Sequence, residues 1–167
     1  MMNVRLQFLG ATRSVTGSAY LLEYGDRRVL IDCGMVQERP LRERNWKPFP
    51  VDPAGIDAVL LTHAHLDHCG LLPKLAREGF EGSIYATAAT ADIARIVLLD
   101  AGHLQEEQAE HKRRRHEKEG RQGPHPDEPL YTRRDAEACL PQFKGVQYEQ
   151  PLDLGGEILH LQTEVPV

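Results

Sequence analysis

The sequence predicts a mixed α/β protein of one domain. Its 167 residues suit one compact domain, because domains most often have about 100 to 150 residues. Apolar and polar residues alternate with a two-residue period near both ends of the chain, which is typical of half-buried strands. Segments between them have the three- and four-residue apolar spacing of helices. Strands that precede, separate and follow helices indicate a mixed α/β chain.

Five strands are predicted in the first half of the chain. The first is marked by Val4, Leu6 and Phe8, which alternate with other residues and are followed by Gly10. The segment 34–55 contains four prolines and several charges, so it is predicted to be an ordered surface loop. The other four strands are expected over residues 18–24, 28–32, 58–61 and 83–86.

Three helices are predicted, with two further strands near the end of the chain. Residues 71–78 fit a short helix with Pro73 in its first turn. Residues 90–119 fit a long helix that Thr90 caps and whose second half is almost entirely polar. Prolines and glycines in residues 120–129 must end it. The remaining elements are a short helix before Pro141 with a Thr132 and Asp135 capping box, and strands over 146–148 and 157–161.

Composition and charge disfavour several classes of protein. The net charge of −5 argues against a general polyanion binder. No apolar stretch approaches the roughly 18 residues that a bilayer span needs, and residues 1–10 lack a signal-peptide core. We therefore expect a cytoplasmic protein without membrane contact. Three widely spaced cysteines match no disulfide framework, so reduced thiols are expected.

The segment from His63 to His68 carries the most informative chemistry. It places three imidazoles and one carboxylate within six residues, directly after a predicted strand and before a predicted helix. A lone histidine is usually a packed or solvated residue, but packing four desolvated polar groups together without a metal is costly. Imidazole and carboxylate suit zinc. His63 and His65 are spaced to share one ion, and Asp67 and His68, beyond the bend, to face a second.

This segment resembles the signature of the metallo-β-lactamase superfamily. Three other segments resemble, more narrowly, the β-CASP branch of RNA-processing nucleases, which includes the cleavage-and-polyadenylation endonuclease. They are residues 9–18, the turn Asp32-Cys33-Gly34 and residues 87–99. The resemblance extends from about Val4 to about Leu161.

The resemblance implies the N-terminal half of an αββα sandwich and a zinc-dependent hydrolase of RNA phosphodiester bonds. Two zinc ions would be bound, the first by His63 and His65 and the second by Asp67 and His68. Asp67 would also orient the attacking hydroxide. Asp32 would orient the ligands without binding a metal itself. RNA is then the expected substrate, and RNA processing the expected role of this endonuclease-like chain.

The chain is shorter than the family pattern requires. In the family a ligand histidine follows the strand that matches residues 157–161, and residues 163–167 do not supply it. We therefore expect residues 1–167 to be a truncated metallo-β-lactamase domain, without its C-terminal half or the β-CASP domain, and inactive alone. Half a sandwich would expose an apolar sheet face and an open edge. A homo-oligomer or a completing polypeptide is expected for this reason.

Two other functions remain open. A protein of the same fold could hydrolyse a small ester or thioester in a pocket shaped by the loop after Asp32. A chain without further ligands could instead be a non-catalytic module that binds zinc or associates with RNA. The run Lys112–Arg115 could touch RNA phosphates, but its acidic neighbours favour a solvated helix. Four of the five histidines outside the motif are also expected to be solvated, namely His103, His111, His116 and His125.

Overall fold

A six-stranded sheet forms the centre of the computed structural model, which describes residues 4–120, 122–123, 127–149 and 151–154. The strands lie in the sheet in their chain order. The first three are antiparallel, and the third to the sixth run parallel. Parallel neighbours need long crossover connections, and these connections carry the helices. The strands are β1 (Val4–Phe8), β2 (Tyr20–Tyr24), β3 (Arg27–Ile31), β4 (Ala58–Leu60), β5 (Ser83–Thr87) and β6 (Phe143–Val146).

The described residues form four α-helices and three short 3-10 segments. The helices are α1 (Leu66–Cys69), α2 (Leu72–Arg77), α3 (Ala88–Glu119) and α4 (Arg133–Cys139). The 3-10 segments are Arg39–Trp46, Pro53–Gly55 and Leu140–Gln142. Two of them lie in the long loop after β3, where proline occupies their first turn. No helix in the described part of the chain is long and apolar enough to cross a membrane.

Two helix ends show how local side chains set the boundaries. The cap of α3 is Thr87 and not the predicted Thr90, because the Thr87 hydroxyl accepts a hydrogen bond from the Thr90 backbone N–H at 3.2 Å. The helix ends at Gly120, whose φ of 60° lies in the left-handed region that glycine tolerates. The predicted capping box of α4 is confirmed, with Thr132 and Asp135 bonded reciprocally.

The predicted strands agree with the first five observed strands, but the sixth was placed wrongly. β6 covers Phe143–Val146 and not residues 146–148, because Phe143 pairs with Ile84 of β5. The strand includes a lysine and a glycine between its two apolar residues, so apolar and polar residues do not alternate clearly along it. The strand predicted over residues 157–161 lies outside the described residues.

The hydrophobic core lies between the sheet and the helices. Leu30, Val59 and Ile84 are neighbours across β3, β4 and β5, and each is at most 2% exposed. They pack with buried residues of the helices and of the connection before α4, including Leu72, Leu98, Tyr131 and Cys139. This packing holds β3 and β4 in place, and the candidate site lies directly after these two strands.

Exposed apolar side chains lie along β1, which is an edge strand of the sheet that the described residues form. Val4, Leu6 and Phe8 are 61%, 48% and 63% exposed. Leu6 pairs with Leu22, and the Phe8 ring lies 5.6 Å from the Tyr20 ring, so the apolar surface continues onto β2. The exposed apolar face expected from the sequence is therefore present at this edge. Whether it leads to oligomers stays a prediction.

One histidine of the polar half of α3 is buried, contrary to the sequence prediction. His116 is 6% exposed, and its Nδ1 lies 2.6 Å from an Asp127 carboxylate oxygen. Lys112 binds the other oxygen of this carboxylate at 3.1 Å. His103 and His111 are exposed as predicted, and His125 lies outside the described residues. The prediction failed for His116 because its partner, eleven residues away, folds back onto the helix.

Candidate metal centre

The candidate site lies where the parallel strands β3 and β4 end. Such strands end at the same edge of a sheet, so the residues that follow them meet there. Asp32 follows β3, and the segment 61–65 between β4 and α1 carries His63 and His65. Asp67 and His68 lie on α1 itself. A hydrogen bond of 2.9 Å from the Thr62 backbone N–H to an Asp32 carboxylate oxygen joins the two strand ends.

The four predicted metal ligands come together in two pairs. The Nε2 atom of His63 lies 3.2 Å from the Nδ1 atom of His65. The Nε2 atom of His68 lies 3.7 Å from a carboxylate oxygen of Asp67. The His63 and His68 rings are 3.9 Å apart between centroids, so the two pairs are adjacent. These are the pairs that the spacing of the motif suggested, His63 with His65 and Asp67 with His68.

These distances fit zinc. Two atoms bound to one tetrahedral zinc ion at about 2.0 to 2.1 Å lie about 3.3 Å apart. The separations of 3.2 Å and 3.7 Å in the two pairs are close to this value. Among the described residues, no group of three or more histidine, cysteine, aspartate or glutamate side chains could hold a metal ion. Each ion would therefore have two ligands from this part of the chain.

Asp32 orients His68. Its side chain is 3% exposed, and one carboxylate oxygen lies 2.7 Å from the Nδ1 atom of His68. The hydroxyls of Ser18 and Thr62 donate to the carboxylate at 3.2 Å and 2.9 Å. The backbone of Asp32 is left-handed, with φ of 59°, a conformation that residues other than glycine seldom adopt. His68 then donates from Nδ1 and presents Nε2 toward Asp67.

The electrostatics of the site favour the neutral form of His63. Burial lowers the pKa of His63, and the neighbouring His68 and His65 lower it further. A lower pKa favours the neutral ring, which is the form that binds metals. The carboxylates of Asp32 and Asp67 oppose this effect, as they stabilise a charged ring.

The backbone around the site is tightly packed. The backbone N–H of Ser18 donates to the Asp67 carbonyl at 2.8 Å, and that of Cys33 donates to the His68 carbonyl at 2.7 Å. A Cβ atom on Gly34 would lie 1.7 Å from the Asp67 carbonyl oxygen. Only glycine therefore permits this approach of the β3 loop to α1. These contacts fix the position of the helix that carries Asp67 and His68.

Sequence reasoning missed the roles of Ser18, Thr62 and Gly34. Ser18 lies in the segment 9–18 that contributed to the resemblance, but its contact with Asp32 spans fourteen residues of chain. Thr62 directly precedes His63, and that position at a strand end was the available signal. Gly34 contributed to the resemblance, but its contact with Asp67 became visible only in the fold.

The cysteines are free and buried, as predicted for reduced thiols. Cys69, next to His68, is fully buried, and this burial raises its pKa to about 12. Burial also raises the pKa of Cys139 to about 12. Cys69 packs within the hydrophobic core, so it does not add to the candidate ligand set.

Residues 13–164 match the metallo-beta-lactamase superfamily, and the chain belongs to this family. The family confirms the mixed α/β fold class predicted from the sequence. Members of the superfamily typically use a dinuclear zinc site.

The relatives of this chain include proteins named for RNA-related functions. It is 45% identical over 152 residues to a protein named ribonuclease TTHA0252 from Thermus thermophilus, covering 91% of this chain and 30% of that protein. It is 34% identical over 158 residues to a protein named transcription termination factor FttA from Methanocaldococcus jannaschii, covering 93% of this chain and 22% of that protein. The chain thus spans less than a third of the length of these relatives.

The chain is also similar to a solved structure of a subclass B3 metallo-beta-lactamase from a soil metagenome library. The sequence identity is 17% and the TM-score is 0.47. The match covers 90% of this chain and 46% of that chain.

Proposed function

We propose that this chain is the metal-binding part of a zinc-dependent ribonuclease of the β-CASP type. The observation that carries the proposal is the convergence of His63, His65, Asp67 and His68 in two adjacent pairs. Membership of the metallo-beta-lactamase superfamily supports the metal, and the names of the relatives support RNA as the substrate. A cytoplasmic location agrees with such a role.

The chain's own residues have distinct tasks in this proposal. His63 and His65 would hold one zinc ion, and Asp67 and His68 a second. Two bound zinc ions supply Lewis-acid activation of water at neutral pH and stabilise negative charge on the attacked phosphate. The Asp67 carboxylate, whose side chain is 24% exposed, would also accept a hydrogen bond from the attacking water and orient it. Asp32 holds the His68 ring so that its Nε2 atom remains available.

The proposed activity belongs to a complete site. Catalytic zinc normally has three protein ligands and one water, and each pair in the described residues offers two. We therefore expect the isolated chain to bind zinc weakly and to cleave RNA slowly or not at all. Added ligands from a completing polypeptide, or from a second copy of the chain, would restore both.

Replacement of His65 with alanine tests the proposal. With the site completed by a polypeptide that supplies the further ligands, the variant is expected to lose at least one zinc ion per chain in equilibrium dialysis with metal analysis, together with cleavage of a single-stranded RNA oligonucleotide. His111→Ala is the matched control, because His111 is exposed on α3 and distant in sequence from the motif. Retention of zinc and cleavage by His65→Ala would refute the assignment.

The two ligands per ion also favour a second candidate, a zinc-binding module without turnover. Fewer than one tightly bound zinc ion per chain and no RNA cleavage, even after a completing polypeptide has supplied further ligands, would support it over the nuclease. A third candidate, hydrolysis of a small ester or thioester, is separated from the nuclease by an assay of both substrate classes with the same zinc-loaded preparation.

A further inference from the structure

The Thr62 hydroxyl contacts three groups of the candidate metal centre. Its oxygen lies 2.9 Å and 3.0 Å from the two carboxylate oxygens of Asp32. It lies 3.1 Å from the Nδ1 atom of His63 and 3.4 Å from the Nδ1 atom of His68. The Thr62 hydroxyl therefore connects Asp32 to the His63 ring. Asp32 itself makes no hydrogen bond to this ring in the described structure.

The number of protons at the site determines the direction of these hydrogen bonds. A hydroxyl has one proton to donate and can accept two, whereas an ionised carboxylate can only accept. The proton of Thr62 must therefore go to Asp32. The Thr62 oxygen can then only accept from His63, so the Nδ1 atom of His63 must carry a proton.

The same reasoning applies to His68. Its Nδ1 atom lies 2.7 Å from the Asp32 carboxylate, which is closer than the 3.4 Å to Thr62, so it donates directly to Asp32. Both rings are then protonated on Nδ1 and carry a free electron pair on Nε2. The Nε2 atom of His63 faces His65, and that of His68 faces Asp67.

We propose that Thr62 is a positioning residue that transmits the charge of Asp32 to His63 and fixes the tautomer of that ring. One buried carboxylate thereby prepares one imidazole of each ligand pair, directly for His68 and through the Thr62 hydroxyl for His63. The proposal rests on the metal centre of the proposed function, but the tautomer itself can be measured without metal and without RNA.

The substitution Thr62→Val removes the hydroxyl and leaves other features of the site in place. Valine keeps the shape of threonine, and the Thr62 backbone N–H still donates to Asp32 at 2.9 Å. Thr62→Ser keeps the hydroxyl. Ser18→Ala is the matched control, because the Ser18 hydroxyl also donates to Asp32 but has no hydrogen bond to His63 in the described structure.

The test measures the ring nitrogen shifts of the chain labelled with ¹⁵N histidine, free of metal and at a pH at which the imidazoles are neutral. In the wild type, His63 and His68 are expected to be protonated on Nδ1. In Thr62→Val, His63 is expected to shift toward the Nε2-protonated form that free histidine favours, while His68 keeps its tautomer. Thr62→Ser and Ser18→Ala are expected to keep the wild-type form of His63.

Zinc affinity provides the second measurement. Loss of a residue that orients a metal ligand typically weakens binding by about 10- to 100-fold, and we expect about 10-fold for Thr62→Val. Thr62→Ser is expected to stay within about twofold of the wild type. Nε2 protonation of His63 in the wild type would overturn the proposal. An unchanged His63 tautomer in Thr62→Val would also do so. If the tautomers are as expected but a completed site does not cleave RNA, the result contradicts the proposed nuclease function and not the role of Thr62.

Discussion

Replacement of Asp32 with asparagine should separate orientation of the metal ligands from metal binding itself. The carboxylate accepts hydrogen bonds from the hydroxyls of Ser18 and Thr62 and from the Thr62 backbone, and it faces the Nδ1 atom of His68 at 2.7 Å. An amide has one oxygen and one NH₂ group, so it can accept either from the Ser18 and Thr62 groups or from His68, but not from both. With its NH₂ group toward His68, asparagine would force that ring to accept on Nδ1 and to carry its proton on Nε2.

The magnitude follows from the bonds that asparagine cannot make. A hydrogen bond to a charged group contributes about 1.5 to 3 kcal/mol and a neutral one about 1 kcal/mol, so replacing the bonds of the carboxylate with those of an amide should lower the free energy of unfolding by about 2 kcal/mol. Zinc affinity should fall by about 10- to 100-fold, because the nitrogen that faces Asp67 is then protonated. Urea unfolding followed by the fluorescence of Trp46, the one tryptophan of the chain, measures the first effect. Competition with a chromophoric chelator measures the second.

Asp92→Asn is the control for this experiment, because Asp92 is exposed on α3 and its replacement also removes one negative charge. It should change neither measurement appreciably. If Asp32→Asn unfolded at the same urea concentration as the wild type and bound zinc within twofold of it, Asp32 could not orient His68 in the way described.

Three further predictions concern the packing around the site and the edge of the sheet. Gly34→Ala should destabilise the fold by about 3 kcal/mol or more in urea unfolding, because the new Cβ atom would lie 1.7 Å from the Asp67 carbonyl oxygen. Gly145→Ala is the control and should not change the stability, because a Cβ atom there would have no described atom within 4 Å. Hydrogen bonds, first from the Thr16 hydroxyl, lower the pKa of Glu38 from 4.5 to about 2. Because the pKa of Glu38 is lower in the folded than in the unfolded state, its ionised carboxylate stabilises the fold above about pH 4.5. In the wild type this contribution should disappear as the pH falls from 4.5 to about 2, whereas Glu38→Gln should lack it at every pH. Urea unfolding of both proteins across this pH range measures the difference. Leu6→Glu, at a position 48% exposed on β1, should reduce any association of the chain measured by light scattering, and unchanged association would place the contact elsewhere.

The candidate site was predictable because its ligands are close together in the sequence. His63, His65, Asp67 and His68 lie within six residues, so a strand followed by a helix is enough to bring them together. Asp32 was identified through the resemblance, and its buried position agrees with the orienting role assigned to it.

The contacts that complete the site depend on the packing of distant segments. Ser18 and Thr62 reach the same carboxylate from different strand ends, and no local pattern marks a hydroxyl that will meet a carboxylate after folding. His116 was misjudged for the same reason, since a charged helix gives no sign that Asp127 will cover one of its side chains. The proximity of side chains within six residues could thus be predicted, whereas contacts that depend on tertiary packing could not.

Metal binding and folding should be coupled in this chain, because the groups that hold the candidate ligands come from three separate segments. Asp32 follows β3, Thr62 follows β4, and Ser18 precedes β2, so the unfolded chain cannot reproduce their contacts. A ligand that binds only the folded state at 100 times its Kd stabilises it by about 2.7 kcal/mol, which should raise the Tm by roughly 5 to 10 °C. Thermal unfolding with excess zinc against excess chelator measures this shift. Since Asp32→Asn misorients His68, its shift should be much smaller than that of the wild type. Equal shifts in the two proteins would mean that zinc stabilises the chain at some other place.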